Sequence, residues 1–245
     1  MQKIAKHQRR QLRQAVRGWR QGIAERSPEW LRRAAGPVVS YADMLIVDHG
    51  VFRLFYLNRH RLGQQAWRSA QPAPHQIKAA AKLGVRTVIN LRGPRFCGGY
   101  WLEQKACAEV GLKLEDYQIR SRAAPTRDEI LGARELFGRI EYPVLLHCKS
   151  GADRAGLMSV LYLITHEGVP VADAKEQLAL KFGHIRQSDT GILDYFFERY
   201  LADNTRQPIA FFEWVEHVYD ADELKRNFAA KGWANVITNR ILRRE

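Results

Sequence analysis

Two short apolar runs constrain this chain more than any other feature. VRTVINL (85–91) and PVLLHC (143–148) are too short for buried helices and rich in β-branched or aliphatic residues. Both read as strands buried on both faces. Around them the period changes repeatedly. QAWRSA (65–70) and LKLEDYQI (112–119) have strand character. APHQIKAAAKLG (73–84) and YWLEQKACAEVG (100–111) have helical spacing and stop at Gly84 and Gly111. TRDEILGARELFGRI (126–140) opens on Thr126 with Glu129 three residues on, the spacing of a capping box. Strands alternating with helices predict an α/β fold with a mainly parallel central sheet flanked by helices. RAGLMSVLYLITHEG (154–168) is apolar nearly all round, which predicts a central buried helix. Residues 170–183, 190–204 and 211–228 predict one further helix each.

The flanks differ from this core. Residues 1–35 hold ten Lys or Arg against two Glu, with Leu12, Val16, Trp19 and Ile23 at helical spacing. This predicts a basic amphipathic helix suited to an anionic membrane surface, the alternative being a helix docked on its own domain. Ser27 and Pro28 open a second short helix. Residues 38–62 predict an extended, strand-containing connector with a turn at Asp48-His49-Gly50. The division is therefore 1–64 for the N-terminal helix and connector, 65–204 for the core, and 205–245 for a helical C-terminal extension ending in the basic NRILRRE.

The 245 residues carry a net charge of +13, which favours anionic partners. The three cysteines, Cys97, Cys107 and Cys148, have neither disulfide-scaffold nor zinc spacing and fit a reducing compartment. No apolar stretch suits a secretory signal or a membrane span, so the expected location is cytoplasmic, peripheral to the inner face of the membrane. The basic segment lacks interleaved aromatics and any recognised module, so it does not point to nucleic acid.

The chemistry concentrates at HCKSGADRAG (147–156). A buried strand runs into a five-residue loop, and a helix starts at Arg154. Ligand sites of open α/β sheets lie at the carboxyl ends of strands beside helix N-termini. The N–H groups of Lys149, Ser150, Gly151, Ala152 and Asp153 can turn inward as an anion nest, with Gly151 permitting the curl. Arg154 can grip two oxygens of a bound anion. Inward amides, a helix N-terminus and an arginine favour a Cys148 thiolate. His147 is expected to hold the loop by hydrogen bonds. The reaction this suits is in-line attack by Cys148 on a phosphate monoester, giving a phosphocysteine. No metal or other cofactor is needed.

A His-Cys pair, five residues and an arginine resemble the signature of the protein tyrosine and dual-specificity phosphatase superfamily. WRSAQP (67–72) and VINLR (88–92) resemble the opening strands of its compact dual-specificity type, which includes bacterial members. The resemblance covers roughly residues 65–200 and implies a cysteine-dependent phosphatase.

Two departures from the family pattern stand out. Most members carry Ser or Thr after the arginine, whose hydroxyl helps the thiolate leave phosphocysteine; here Ala155 stands there. The family usually places an acidic Asp on a loop about thirty residues before the cysteine, and RSRAAPT (120–126) has no carboxylate. Three candidates for the acid remain: Asp153, as in the myotubularin-type relatives that act on inositol lipids; Asp116, expected inside the preceding strand; and Asp128, whose position suits helix capping. A reaction without a side-chain acid is the fourth possibility. Gln187 falls where the superfamily often positions the hydrolytic water, and equally suits an ordinary loop glutamine. Arg120 and Arg122 suit extra substrate phosphate or a membrane, while His75 and His184 suit structural or surface roles.

The leading expectation is a phosphatase acting on a phosphorylated protein or a membrane lipid phosphate. The alternative is a phosphate-binding adaptor, a pseudophosphatase with little or no turnover, to which Ala155 and the missing loop carboxylate point.

Overall fold

The computed structural model describes residues 40–44 and 56–229. The basic helix expected over 1–35, the turn at Asp48-His49-Gly50 and the NRILRRE ending lie outside them.

Five strands form one sheet in the order β1-β2-β5-β3-β4. They are β1 (His60–Leu62), β2 (Ala66–Ala70), β3 (Thr87–Asn90), β4 (Lys113–Asp116) and β5 (Val144–Cys148). β1 runs antiparallel to β2, and the remaining pairs are parallel. The two apolar runs are β3 and β5, adjacent and fully buried, as strands covered on both faces must be. β1 falls inside the segment expected as a connector and closes one sheet edge.

Strand alternation sorts the core into two layers. Val144, Leu146 and Cys148 of β5 join Ile89 and Leu91 in one apolar cluster. That cluster is completed by α3 (Arg127–Arg139), α4 (Asp153–His166), α6 (Ile192–Arg206) and α7 (Phe211–His217). On the other face Leu145 and Val88 pack with α1 (Pro74–Lys82) and α2 (Gly98–Glu109). The capping box expected at Thr126 is present: its Oγ1 accepts from the Glu129 N–H (3.2 Å), and Glu129 Oε2 accepts from the Thr126 N–H (2.7 Å).

Three elements differ from expectation. Residues 170–183 do not form one helix. The short helix α5 (Val171–Ala174) gives way to 3-10 turns at Lys175–Gln177 and Leu180–Phe182. The cause is tertiary: Gln177 and Phe182 surrender their carbonyls to Arg68 and Asn58. The expected helix over 211–228 breaks after α7. Tyr219 turns inward to donate to the Pro125 carbonyl (2.7 Å), and Asp220 Oδ1 accepts from the N–H groups of Asp222 and Glu223. Residues 40–44 form a helical turn rather than extended chain, with Met44 packed on Ala73 and Leu102.

The segment after residue 205 packs into the same core as the sheet. Trp214 is 1% exposed, lies against Phe196, Tyr200 and Tyr219, and donates its indole N–H to Asp203 (3.0 Å). Trp214→Ala removes this buried ring and should cost about 3–5 kcal/mol, read from the urea midpoint.

Candidate active site

The loop between β5 and α4 leaves the carboxyl edge of the sheet, where Cys148 pairs laterally with Ala70 of β2. It is held from behind by two side chains distant in sequence. Arg68, in the middle of β2 and 0% exposed, donates Nη2–H bonds to the carbonyls of Gly151 (2.7 Å) and Ala152 (2.9 Å). Its Nη1 donates to the Gln177 carbonyl (2.6 Å) and side-chain oxygen (3.0 Å), and its guanidinium lies 4.2 Å over the Phe182 ring. Asn58 Nδ2 donates to the carbonyls of Ser150 (3.0 Å) and Phe182 (2.9 Å). Asn58 adopts a left-handed φ of 48°, a conformation asparagine tolerates better than most residues.

Three consecutive loop carbonyls, those of residues 150–152, thus point toward Arg68 and Asn58. Because the trans peptide is planar, the following N–H groups point the opposite way. The N–H groups of Gly151 and Ala152 find no acceptor among the described residues. The loop can take this course only with glycine at 151. Its φ is +76°, and a Cβ there would lie 2.6 Å from the Ala70 nitrogen.

Cys148 is 2% exposed at the base of this loop. Arg154, in the first turn of α4, donates one bond of 3.4 Å to the Leu91 carbonyl, the one hydrogen bond of its guanidinium among the described residues. Burial lowers the pKa of Arg68 to about 10, against the opposing electrostatic influence of the neighbouring Cys148 and Asp153. Arg68 therefore stays cationic at neutral pH behind the thiol and the nest. Lys149 is half-buried and Ser150 exposed on the loop itself.

The structure disperses several other predicted residues. His147 does not hold the loop. Strand alternation turns its ring to the opposite face of β5, where Nε2 pairs with Glu103 Oε1 in full burial. Glu103 Oε2 accepts from Gln71 Nε2 (2.7 Å), and Gln71 Oε1 accepts from Arg92, so a buried polar chain runs under the sheet edge.

Asp116 ends β4 rather than lying inside a longer strand. In register, Asp116 pairs with Asn90, and Asn90 with His147. Asp116 therefore stands two strand spacings, roughly 10 Å, from the backbone beside Cys148. It accepts from Asn90 Nδ2 (2.8 Å) and from the Tyr100 hydroxyl. Burial and that contact push the Tyr100 phenol up.

Asp153 is committed elsewhere: its Oδ1 lies 2.8 Å from Nδ1 of His184. His184, read from sequence as a structural or surface residue, is fully buried, with Nε2 2.6 Å from Asp194 Oδ2. Burial works against its charge, but the hydrogen bonds to Asp153 and Asp194 outweigh it and push its pKa up to about 9. Gln187 is exposed in the loop that follows. Asp128 is exposed in the first turn of α3, whose cap is Thr126. Arg120 and Arg122 are exposed, with Arg120 3.7 Å from Glu129. Ala155 is fully buried in the apolar cluster that includes Cys148.

Arg68, Asn58 and Glu103 are the functional candidates that sequence reasoning missed. A charged residue in the middle of a short strand was the available signal for Arg68. Nothing local marked the other two.

Comparison with known proteins places this loop in context. The family model described as the Swiss Army Knife protein, DSP-PTPase phosphatase domain, matches residues 63–185, half of the chain. The dual specificity protein phosphatase TpbA of Pseudomonas aeruginosa strain UCBPP-PA14 is 28% identical over 122 residues, which are 50% of this chain and 53% of TpbA. The chain thus spans about half the length of the curated relatives it matches. Among solved structures, P. aeruginosa TpbA aligns over 71% of this chain and 91% of its own at 18% identity and a TM-score of 0.47. PTPMT1 aligns over 61% and 99% at 18% identity and a TM-score of 0.45.

Arg68→Lys keeps the charge but not the planar fork that spans two loop carbonyls and Gln177. It should lose roughly 1.5–3 kcal/mol for each hydrogen bond left unmade, read by urea denaturation, and bind inorganic vanadate more weakly by calorimetry.

His184 gives a pH signature. The unfolded chain releases this proton near 6.5 and the folded chain near 9. Between those values the folded state holds the extra proton, so stability is complete below the lower value. It should fall by roughly 1.4 kcal/mol per pH unit until the upper one. Denaturation midpoints across that window, compared with His184→Gln, check the slope.

Proposed function

The chain belongs to the DSP-PTPase phosphatase family, and from that premise we propose that it is a cysteine-dependent phosphomonoesterase. The observation that carries the reading is the outward anchoring of the 150–152 carbonyls by Asn58 and Arg68, which leaves inward N–H groups around Cys148. Such a nest needs no reorganisation when an anion arrives.

In the first step the Cys148 thiolate attacks phosphorus in line. The bond to the leaving oxygen breaks, and that oxygen keeps the electron pair and takes a proton. The loop N–H groups of residues 149–153 and the Arg154 guanidinium stabilise the equatorial oxygens. In the second step water attacks the phosphocysteine, the S–P electron pair returns to Cys148, and the water proton passes to the carboxylate that gave one up.

We assign that carboxylate to Asp116. It is exposed at the carboxyl end of β4, the sheet edge from which the phosphate loop leaves, whereas Asp153 is tied to the buried His184. The substrate reading follows the name of the TpbA relatives: a phosphorylated side chain of a protein. A lipid phosphate is the competing substrate, motivated by the basic residues 1–35, which would bring the site to an anionic membrane. No described helix is long and apolar enough to cross a membrane.

The adaptor reading retains one specific observation. Ala155 offers no hydroxyl to the departing thiolate, and Ser159, one turn on, donates its own hydroxyl to the Ala155 carbonyl (2.5 Å).

The deciding assay uses para-nitrophenyl phosphate, a phosphotyrosyl peptide and phosphoinositide vesicles. Turnover that Cys148→Ser abolishes supports the enzyme, and no turnover on any of them sinks it. Asp116→Asn should lower kcat by about 100-fold or more on the peptide, within the range of general acid catalysis, and less on para-nitrophenyl phosphate, whose leaving group needs no proton. Equal losses on both would remove Asp116 from the role.

A further inference from the structure

His184 joins two elements that the reaction needs in register, and it does so with charge. Both ring nitrogens face carboxylate oxygens, Asp153 Oδ1 at 2.8 Å and Asp194 Oδ2 at 2.6 Å. Ionised carboxylates only accept hydrogen bonds, and a neutral imidazole has one N–H to give. Only the imidazolium satisfies both partners. The side chain is fully buried, where an unmade bond is costly.

The two carboxylates occupy first turns of helices. Asp153 opens α4, directly before Arg154, and Asp194 lies in the first turn of α6. Each carries the charge that a helix N-terminus favours. The cation between them ties the helix that begins the phosphate-gripping turn to the helix that ends the 185–191 loop.

That loop is itself tightly folded. The Ile185 carbonyl accepts from the Ser188 N–H (3.1 Å), the Ser188 hydroxyl (2.8 Å) and the Thr190 hydroxyl (3.4 Å). A Cβ on Gly191 would lie 1.9 Å from the Arg186 carbonyl oxygen, so only glycine permits the close return. Arg186 is held by Glu198 (2.6 Å). Such a loop moves as a unit, and its position relative to Cys148 depends on what anchors its ends. His184 is the anchor at the first end, and Asp194 lies just beyond the second. Gln187, at the exposed tip, makes no side-chain hydrogen bond among the described residues.

We propose that His184 is a positioning residue for the second chemical step: clamped between Asp153 and Asp194, it fixes the 185–191 loop against the phosphate loop so that Gln187 can aim the water that attacks phosphocysteine. This rests on the phosphatase reading above. In that step the water oxygen bonds to phosphorus, the S–P bond breaks with its pair returning to Cys148 sulfur, and the water proton goes to the Asp116 carboxylate. His184 neither gives nor takes a proton in it. The charged groups that face His184 are Asp153 from α4 and Asp194 from α6. Lys181 and Arg186 flank it on its own segment.

Rapid mixing with para-nitrophenyl phosphate separates the steps. The nitrophenolate burst reports phosphocysteine formation, and the steady state reports its hydrolysis when that step limits. His184→Gln can bridge only one carboxylate. Its burst rate should stay within about threefold of wild type while kcat falls about tenfold or more, the range expected for a displaced positioning group. Acid-quenched protein should then carry trapped phosphoryl group. Asp194→Asn, which keeps the Asp153 contact, should show the same split, and it decides the matter if His184→Gln does not fold. In wild type the hydrolytic rate should decline as pH passes about 9, and in His184→Gln that decline should be absent.

Equal losses in burst and steady state, or no loss in either, would overturn the inference while leaving the phosphatase reading intact. Absence of any turnover by the wild-type protein would instead overturn the phosphatase reading, and this inference with it.

Discussion

The site depends on a buried cation that forms no ion pair with a carboxylate among the described residues. Arg68 is out of contact with water, and its terminal nitrogens donate to oxygens of Gly151, Ala152 and Gln177. Burying an unpaired charge is among the costlier things a fold can do. Here carbonyl dipoles and the face of Phe182 replace water around the guanidinium. The arrangement has a direction. Carbonyls drawn to one side leave N–H groups on the other, so the charge that burial makes expensive also organises an anion site. Asn58 extends the same pull to the Ser150 carbonyl. The loop is shaped before any ligand arrives, which is the condition for electrostatic stabilisation that costs no reorganisation.

The two faces of β5 divide the work. Cys148 and Leu146 face the apolar side with Ala155 and Met158 of α4, which gives the thiol a rigid wall. His147 faces the other side and enters the buried chain through Glu103 and Gln71 to Arg92. One residue of displacement along the strand would exchange these environments, so the register with β2 and β3 is part of the chemistry. The same register sets Asp116 beside Asn90 at the carboxyl edge, in the row of His147.

How much was legible in the sequence follows from distance along the chain. The strand, loop and helix around Cys148 could be read because their signals are local: a short apolar run, a glycine that must take a positive φ, and a helix beginning at once. The Thr126 capping box is legible for the same reason. Arg68 and Asn58 were not, because they reach the loop across 83 and 92 residues of chain and carry no periodicity of their own. The helix expected over 170–183 failed because local propensity lost to tertiary bonds from those same two side chains. His147 was misplaced because proximity in sequence to Cys148 was read as proximity in space, whereas strand neighbours point to opposite faces. Asp153 was read without its partner, since nothing in GADRA announces a histidine thirty-one residues on.

The departures from the family pattern bear on the second half of the proposed reaction. A hydroxyl at position 155 would sit where this chain buries a methyl group in the apolar cluster. Ala155 shares that cluster with Cys148 and Met158, so the methyl group lines the apolar side of the thiol. With no donor from that position, the leaving thiolate must be stabilised by the loop N–H groups, Arg154 and the start of α4. Those groups also hold the phosphoryl oxygens in that reaction, so they serve the free enzyme and the phosphocysteine together. What can still accelerate hydrolysis is the placement of water, because orientation lowers the barrier without favouring either ground state. A site that gives up this hydroxyl therefore relies more heavily on the 185–191 loop that we propose aims the water. In this chain that loop is anchored by a buried imidazolium rather than left to swing.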